Sequence, residues 1–508
     1  MGARTVAPLH IICRILIIKA VYRKLNMHKE EYSPAGGNGS GKINGGSPPG
    51  QGIYKNGINE GGARRKVELT PSRILVVSFL SVITLGVIFL LCPFSARPGV
   101  HIGFIDALFT SVSAVCVTGL TSIDTVSSYS LAGQIIILLL IQFGGLGIMT
   151  IVTFAMATIG GRVSLKFRVF AREDRPSNTS IDLVELIKYV FIITMAIEAV
   201  GALVLFAVFK YQKGYGALKA FYYSVFHSIS AFCNAGFALF PDSLMSFDGN
   251  IAVNIIIAAL ILIGGIGFSV IVDLMYFTRT KTRYHLSLNT RIVLFTTLIL
   301  LTVSTVLIFA IEYNNNDTIG KFPLYKKIYA SFFQAVTLRT AGFNTIDNSK
   351  LMPPAILLCM LLMFIGASPG GTGGGIKTTT AAVLYKSIMR SIQDDSQIVV
   401  FRQAVPKESI SKAIAVFTIS MILVFAGVFV LLFTEKFSFV EIVFEVISAF
   451  GTVGLSMGIT SKLSWTGKLV IAVIMFLGRV GSLTVVLALA RAKPKLDVRY
   501  PEETVLIG

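Results

Sequence analysis

Four short stretches of this chain carry the same chemical possibility. They read SAVCVTGL at residues 113–120, SAFCNAGF at 230–237, VTLRTAGF at 336–343 and SAFGTVGL at 448–455. Each ends in a glycine followed by a large apolar residue, at Gly119, Gly236, Gly342 and Gly454, spaced 117, 106 and 112 residues apart. Peptide carbonyls turned one way can replace the hydration shell of a bare cation. Glycine reaches the backbone angles that such a strand needs. The candidate ligands are Val117, Thr118 and Gly119; Asn234, Ala235 and Gly236; Thr340, Ala341 and Gly342; and Thr452, Val453 and Gly454. No arrangement of nucleophile, base and orienting acid occurs anywhere in the chain, so an enzyme is not expected.

Carbonyls can surround an ion only if something holds four strands around one axis. A short apolar helix precedes each stretch, at 104–116, 220–233, 325–338 and 439–450. These segments are too short to cross a bilayer, which takes about 20 residues, so they are expected to be re-entrant. Each stretch is followed by a longer apolar segment with its own glycine motif: FGGLG at 143, IGGIG at 263, IGASP at 365 and LGRVG at 477. Filter and inner helix therefore duplicate together. Gly144 and Gly264 read as close-packing positions within membrane helices.

Of 508 residues, 54% are hydrophobic and only 14% charged, where a soluble protein has about 25% charged. The apolar residues gather at 74–91, 135–159, 189–209, 251–277, 292–311, 413–433 and 469–490. An eighth run begins near Ala355 and breaks after Ala367. This excludes a soluble enzyme. The net charge of +19 is a membrane signature rather than a nucleic-acid one, because Lys and Arg collect in alternate connections. Examples are Arg64 to Arg73, Arg162 to Arg175, Arg279 to Arg291, Lys386 to Lys412 and Arg491 to Arg499. The bias places both termini in the cytoplasm. Five cysteines and five histidines form neither a disulfide framework nor a metal pattern. Residues 1–70 are rich in Gly, Asn, Ser and Pro toward their end and are expected to be a disordered or interfacial cytoplasmic tail.

The fourth triplet, Thr452-Val453-Gly454, is the core of the TVGYG filter of tetrameric potassium channels. The fourfold pattern resembles the Trk/Ktr/HKT superfamily of potassium translocators, most like the membrane subunit of a bacterial Ktr system. The resemblance runs from about Arg65 to the end and implies an all-α polytopic membrane protein. Four tandem span–pore helix–filter–span repeats, eight transmembrane spans in all, would surround one central pore. The expected boundaries are 71–170, 171–285, 286–402 with a gate loop, 403–497, and a tail at 498–508. The implied function is potassium (K+) uptake across the cell membrane, driven by the membrane potential. Sodium (Na+) is the second candidate ion and a candidate stimulant. The implied partners are the lipid bilayer, a second copy in a homodimer joined through the tail, and a separate cytosolic nucleotide-binding ring subunit. No Rossmann glycine motif is present in this chain. The alternative is an ion-coupled secondary transporter working by alternating access, which four filters argue against.

The third inner segment, IGASPGGTGGGIKTTT, interrupts an apolar helix with six glycines and a proline. Backbone exposed at that depth must be buried in protein or line the pathway. It is not a nucleotide P-loop, because Ile376 separates Lys377 from the preceding glycine. In the resembled family this position is a gate loop, here Gly366, Ala367, Ser368, Pro369, Gly370, Gly371, Thr372, Gly373, Gly374, Gly375 and Lys377. The resemblance also makes Arg479 a basic group near the filter, with a salt bridge to Glu445 as its structural alternative. Glu198 reads as a packed, hydrogen-bonded group. Arg339 is expected to anchor the third filter to neighbouring carbonyls. Asp124, Asp242 and Asp248 follow filters on the outer side.

Overall fold

The computed structural model describes residues 71–147, 183–280, 285–393 and 397–489. The amino-terminal tail, the far end of the run at 135–159 and the tail at 498–508 lie outside the described residues. Within them the chain is almost entirely helical, with a two-stranded antiparallel hairpin at Val399–Val400 and Gln403–Ala404. The helices come in four successive sets. The first is α1 (Pro71–Leu91), α2 (Phe104–Val115) and α3 (Leu131–Leu146). The second is α4 (Leu183–Tyr211), α5 (Ala217–Phe232), α6 (Ile251–Ile266) and α7 (Phe268–Thr280). The third is α8 (Leu288–Glu312), α9 (Leu324–Thr337), α10 (Pro353–Phe364) and α11 (Thr378–Gln393). The fourth is α12 (Lys407–Thr434), α13 (Phe439–Gly451), α14 (Trp465–Val480) and α15 (Ser482–Leu489).

Burial is distributed as a membrane demands. The long helices α1, α4, α8 and α12 include stretches long and apolar enough to cross a bilayer, yet at most 28% of each is buried inside the protein. Their outward faces carry Leu85, Ile88, Leu203, Phe295, Phe425 and Phe433, a hydrophobic surface of an extent that soluble proteins avoid. The short helices are the reverse. In α2 every residue from Phe109 to Val115 is buried, and α5, α9 and α13 bury their carboxy-terminal halves likewise.

Small residues let long and short helices meet. Ser111 Oγ of α2 donates to the Ile83 carbonyl of α1 at 2.8 Å, and Ser228 Oγ of α5 donates to the Glu198 carbonyl of α4 at 2.7 Å. Each serine sits over a glycine of its outer helix, Gly86 or Gly201, where a Cβ would come within 2.5 Å of the hydroxyl. Neighbouring sets are tied in turn. Tyr222 of α5 donates to Gln134 of α3 at 2.9 Å, and Lys326 of α9 pairs with Asp248 of the second set at 2.8 Å. Phe364 at the end of α10 packs on Phe450 of α13. Lys468 of α14 returns to Asp106 of α2 at 2.8 Å. The contacts run from first to second, third, fourth and back to first.

Two inner segments differ from the expectation of continuous spans. The run 251–277 turns by 94° between α6 and α7, and 469–490 turns by 93° between α14 and α15. The turns fall at Gly267 (φ +102°) and Gly481 (φ +94°), and α3 ends at the matching Gly147 (φ +80°). Hydropathy is blind to this, since apolar residues continue on both sides. We expect Gly267→Ala to lower the unfolding midpoint in detergent, at a cost of about 1–3 kcal/mol for the disallowed backbone. Its Cβ would also lie 2.5 Å from the Pro369 carbonyl oxygen. An unchanged midpoint would show that the turn tolerates a side chain.

Candidate functional site

The four candidate triplets share one backbone conformation. Their first residues, Val117, Asn234, Thr340 and Thr452, have φ of 56°, 59°, 70° and 51°. Such left-handed angles are uncommon for residues other than glycine. Their third residues, Gly119, Gly236, Gly342 and Gly454, have φ of 90°, 69°, 77° and 90°. Left-handed residues alternating with an ordinary one flip successive peptide planes, so that carbonyls can face one side. The N–H groups turn back to the short helices. Thr118 N donates to Ser113 O, Ala235 N to Ser230 O and Val453 N to Ser448 O, each at 2.8 Å. The preceding amides of Val117, Asn234 and Thr452 donate to Ala114, Ala231 and Ala449 at 3.1 Å. This pair of bonds is the Schellman cap, whose left-handed residue is here the first of the triplet. In the third set Arg339-Thr340 varies the pattern: Ala341 N bonds Thr337 O at 3.0 Å, and Thr337 Oγ1 bonds Phe343 O at 2.8 Å.

The triplets meet in a closed ring. A Cβ on Gly119 would lie 2.4 Å from the Ala235 carbonyl oxygen, and one on Gly236 would lie 2.8 Å from that of Ala341. One on Gly342 would lie 2.4 Å from that of Val453, and one on Gly454 would lie 2.0 Å from that of Thr118. Among the described residues, no donor bonds the carbonyls of Thr118, Ala235, Ala341 or Val453. A ring of carbonyl oxygens without donors presents partial negative charge, which favours cations. Behind the ring the inner helices press on the ends of the short ones. A Cβ at Gly144, Gly264 or Gly478 would lie within 2.0 Å of the carbonyl oxygen of Val115, Phe232 or Phe450. This is the close packing expected of Gly144 and Gly264.

The third set replaces that contact with its glycine-rich loop. Gly366 N bonds Ile376 O at 2.9 Å and Ala367 N bonds Gly374 O at 3.3 Å, closing the neck of the loop. Ser368 N and Thr372 N donate to Gly265 O and Gly264 O of α6 at 3.1 and 3.2 Å, and Gly371 N donates to Ser368 O at 3.1 Å. Phe268 N of α7 donates to Gly370 O at 3.0 Å. Gly373 lies against the Thr340 hydroxyl, where a Cβ would come within 1.9 Å. Gly374 N donates to the Thr452 hydroxyl at 2.9 Å. Lys377 Nζ donates to Gly373 O at 2.7 Å. The loop thus sits at the first residues of the third and fourth triplets while hydrogen-bonded to the second set. Arg479 adds the first set, donating through Nη1 to the Thr372 carbonyl and through Nη2 to the Gly144 carbonyl.

One expectation for a single side chain is corrected, and one alternative falls away. Arg479 makes no salt bridge with Glu445, whose carboxylate instead accepts from Ser456 Oγ at 2.8 Å and from Thr460 Oγ1. Arg339 does not bind neighbouring carbonyls: it is buried, and its Nε and Nη2 have no hydrogen-bond partner among the described residues. Asp124 caps the turn at Ser127, Asp242 binds Ser246 N at 2.8 Å, and Asp248 pairs with Lys326. These acids are occupied by local structure. Among the described residues, no group of His, Cys, Asp and Glu side chains is placed to hold a metal ion. The sequence reading missed the lateral contact of Asn234 with Thr340 Oγ1 at 3.3 Å, in which the Asn234 carbonyl accepts once its amide is turned to donate to Ala231 O and Ile261 O. It also missed His227, which accepts from Leu239 N at 3.2 Å and ties α5 to the strand beyond the second triplet. Neither pairing has a signal in sequence spacing.

Apolar helices around buried carbonyl strands define a multi-pass membrane protein. The chain matches the TrkH family of cation transport proteins over residues 69–496 and belongs to that family. It is 41% identical over 442 residues to the Ktr system potassium uptake protein B of Bacillus subtilis (strain 168), covering 87% of this chain and 98% of that protein. It is 39% identical over 447 residues to the protein of the same name from Vibrio alginolyticus, covering 88% and 97%. The potassium/sodium uptake protein NtpJ of Enterococcus hirae is 36% identical over 451 residues, covering 88% and 99%. Among solved structures, the crystal structure of the potassium transporter TrkH from Vibrio parahaemolyticus shares the fold, with a TM-score of 0.66 over 84% of this chain and 87% of that one, at 21% identity. These relatives are transport proteins, in line with the absence of catalytic residue patterns.

The loop contact at Thr452 is open to a direct check. Thr452→Val removes the acceptor of Gly374 N–H and leaves a buried donor unpaired, a loss of about 1–3 kcal/mol. Amide exchange at Gly374 should then accelerate, while Thr452→Ser should hold it near the wild-type rate. Equal exchange in both variants would remove this bond from the docking of the loop.

Proposed function

We propose that this chain takes up potassium across the cell membrane through a single pore whose narrowest part is the ring of Gly119, Gly236, Gly342 and Gly454. The observation that carries the reading is the closure of that ring. Four backbones approach one another with acceptor carbonyls and no intervening side chains. A rocking transporter has no use for such a ring. In this reading the four sets are tandem pore repeats. Their eight spans are α1 and α3, α4 and the bent pair α6–α7, α8 and the interrupted α10–α11, and α12 and the bent pair α14–α15. The membrane potential drives entry, with roughly 2.3 kcal/mol per charge per 100 mV. Potassium is the carried ion and sodium its competitor, and one relative is named for both.

The loop 366–377 is the gate. Its bonds to Thr452, to α6 and, through Arg479, to α3 hold it across the inner ends of the triplets, and its withdrawal opens the path. Arg479 contributes a positive charge to that mouth and lowers its occupancy by cations. The bias that withdraws the loop comes from a cytosolic nucleotide-binding ring subunit docked on a homodimer of this chain, as the sequence resemblance implies. Both termini face that subunit.

Two variants test the reading by uptake in cells lacking their own potassium transport. Gly119→Ser should lower the ratio of potassium to sodium uptake, because the new side chain meets the Ala235 carbonyl oxygen. A ratio equal to wild type would remove position 119 from the filter. Deleting residues 370–375 should raise potassium uptake and weaken its dependence on the partner. The neck bond from Gly366 N to Ile376 O lies outside the deletion and holds the loop ends together, so the flanking helices are spared. Uptake that falls in a correctly inserted deletion variant would count against a plug.

A further inference from the structure

Glu198 lies in the middle of the span Tyr189–Tyr211, as its one acidic residue, and is only 5% exposed. Its two carboxylate oxygens accept from Gln142 Nε2 of α3 at 3.1 and 3.2 Å. Cys233 Sγ completes the group, 3.7 Å from Gln142 Oε1 and 3.9 Å from Glu198 Oε1. Cys233 directly precedes the triplet Asn234-Ala235-Gly236. Gly145 packs against the same sulfur, where a Cβ would lie 2.5 Å away. An outer helix of one set, an inner helix of another and the back of the second triplet therefore converge on one carboxyl.

The carboxyl is not needed to dock the helices. In the first set the same serine-to-carbonyl bond is made at Ile83, the residue matching Glu198, which is buried and apolar. Ionisable groups at this depth are costly and tend to serve function. The second triplet has Ala235 at its centre, as the third has Ala341, where the first and fourth have Thr118 and Val453. The Ala235 carbonyl oxygen is the one against which Gly119 packs. Cys233 lies two residues before the one that supplies this oxygen of the ring.

We propose that Glu198, acting through Gln142 and Cys233, is a positioning residue for the second filter and sets its discrimination between potassium and sodium. The inference rests on the reading of the ring as a cation pore. Discrimination depends on the placement and field of the coordinating carbonyls, and a carboxyl clamped by an amide fixes that placement from behind.

The test is paired uptake of potassium and sodium by cells expressing the full chain, with membrane content measured for each variant. Glu198→Ala and Gln142→Leu should each lower the potassium-to-sodium ratio, by about tenfold, and the double variant should fall no further, as coupled residues in one network do. Glu198→Gln, which keeps an acceptor oxygen for Gln142, should retain most of the ratio. A role in folding alone would lower both uptakes together and leave the ratio unchanged, and that result overturns the proposal. Should Glu198→Ala fail to insert, Gln142→Leu and Cys233→Ala decide the matter, and an unchanged ratio in both overturns it equally. A wild-type chain that carries neither ion overturns the pore reading and this inference together, whereas an unchanged ratio in conducting variants overturns the inference alone.

Discussion

Four backbones can converge on one axis only if no side chain stands between them and if their N–H groups find partners elsewhere. The first condition is met by Gly119, Gly236, Gly342 and Gly454, each against the carbonyl of the next triplet. The second is met by the caps of the short helices, where Ser113, Ser230 and Ser448 accept through their main-chain carbonyls. In an apolar surrounding an unpaired backbone group costs several kcal/mol. The free carbonyls of the ring are therefore tolerable only where water or an ion replaces the missing donor. Four non-glycine residues held at positive φ add strain of about 1–3 kcal/mol each. The packing of the inner helices, with Gly144, Gly264 and Gly478 against carbonyl oxygens, keeps that strain from relaxing.

The four sets repeat in outline and differ in chemistry. The residue before the triplet is Cys116, Cys233, Arg339 or Gly451, and the first residue of the triplet is Val, Asn or Thr. Only Thr340 and Thr452 present hydroxyls there, and these are the two that meet the glycine-rich loop. At the first set, where Val117 offers no hydrogen bond, Arg479 reaches Gly144 instead. A single chain can assign different contacts to each quarter of a ring, which identical subunits cannot do. The loop is accordingly an asymmetric object, rooted in one quarter and fastened to the other three.

Much of this was legible in the sequence. The triplets, the short helices within a few residues of their ends, and the interrupted third inner segment all follow from glycine placement and apolar runs. The bends at Gly267 and Gly481 did not, because hydropathy reports depth in the membrane but not direction. The final glycine shared by FGGLG, IGGIG and LGRVG was the available signal. Arg479 was legible as an ionisable group in an apolar run, but its partners were not. They are main-chain carbonyls, which every residue has and no pattern marks. For the same reason Arg339 was assigned carbonyl partners, whereas its Nε and Nη2 have none among the described residues.

The proposed gate has energetics suited to regulation. Its fastenings are neutral hydrogen bonds from Ser368, Thr372 and Gly374, together with the charge-assisted bonds of Arg479. Each neutral bond contributes about 0.5–1.5 kcal/mol net, and those to a charged group about 1.5–3 kcal/mol, when water can take the place of the lost partner. In the proposed gating the loop withdraws into an aqueous mouth, where water replaces the lost partners. Docking is then worth several kcal/mol in total, the range in which a bound partner can invert an equilibrium, since moving a population from 1:99 to 99:1 takes about 5.5 kcal/mol. A continuous helix at this place would have been far harder to displace. Its intrahelical ladder would have to break in lipid, where no water waits for the freed groups. Glycine in place of helix thus trades a rigid wall for one whose opening costs no more than a binding event supplies.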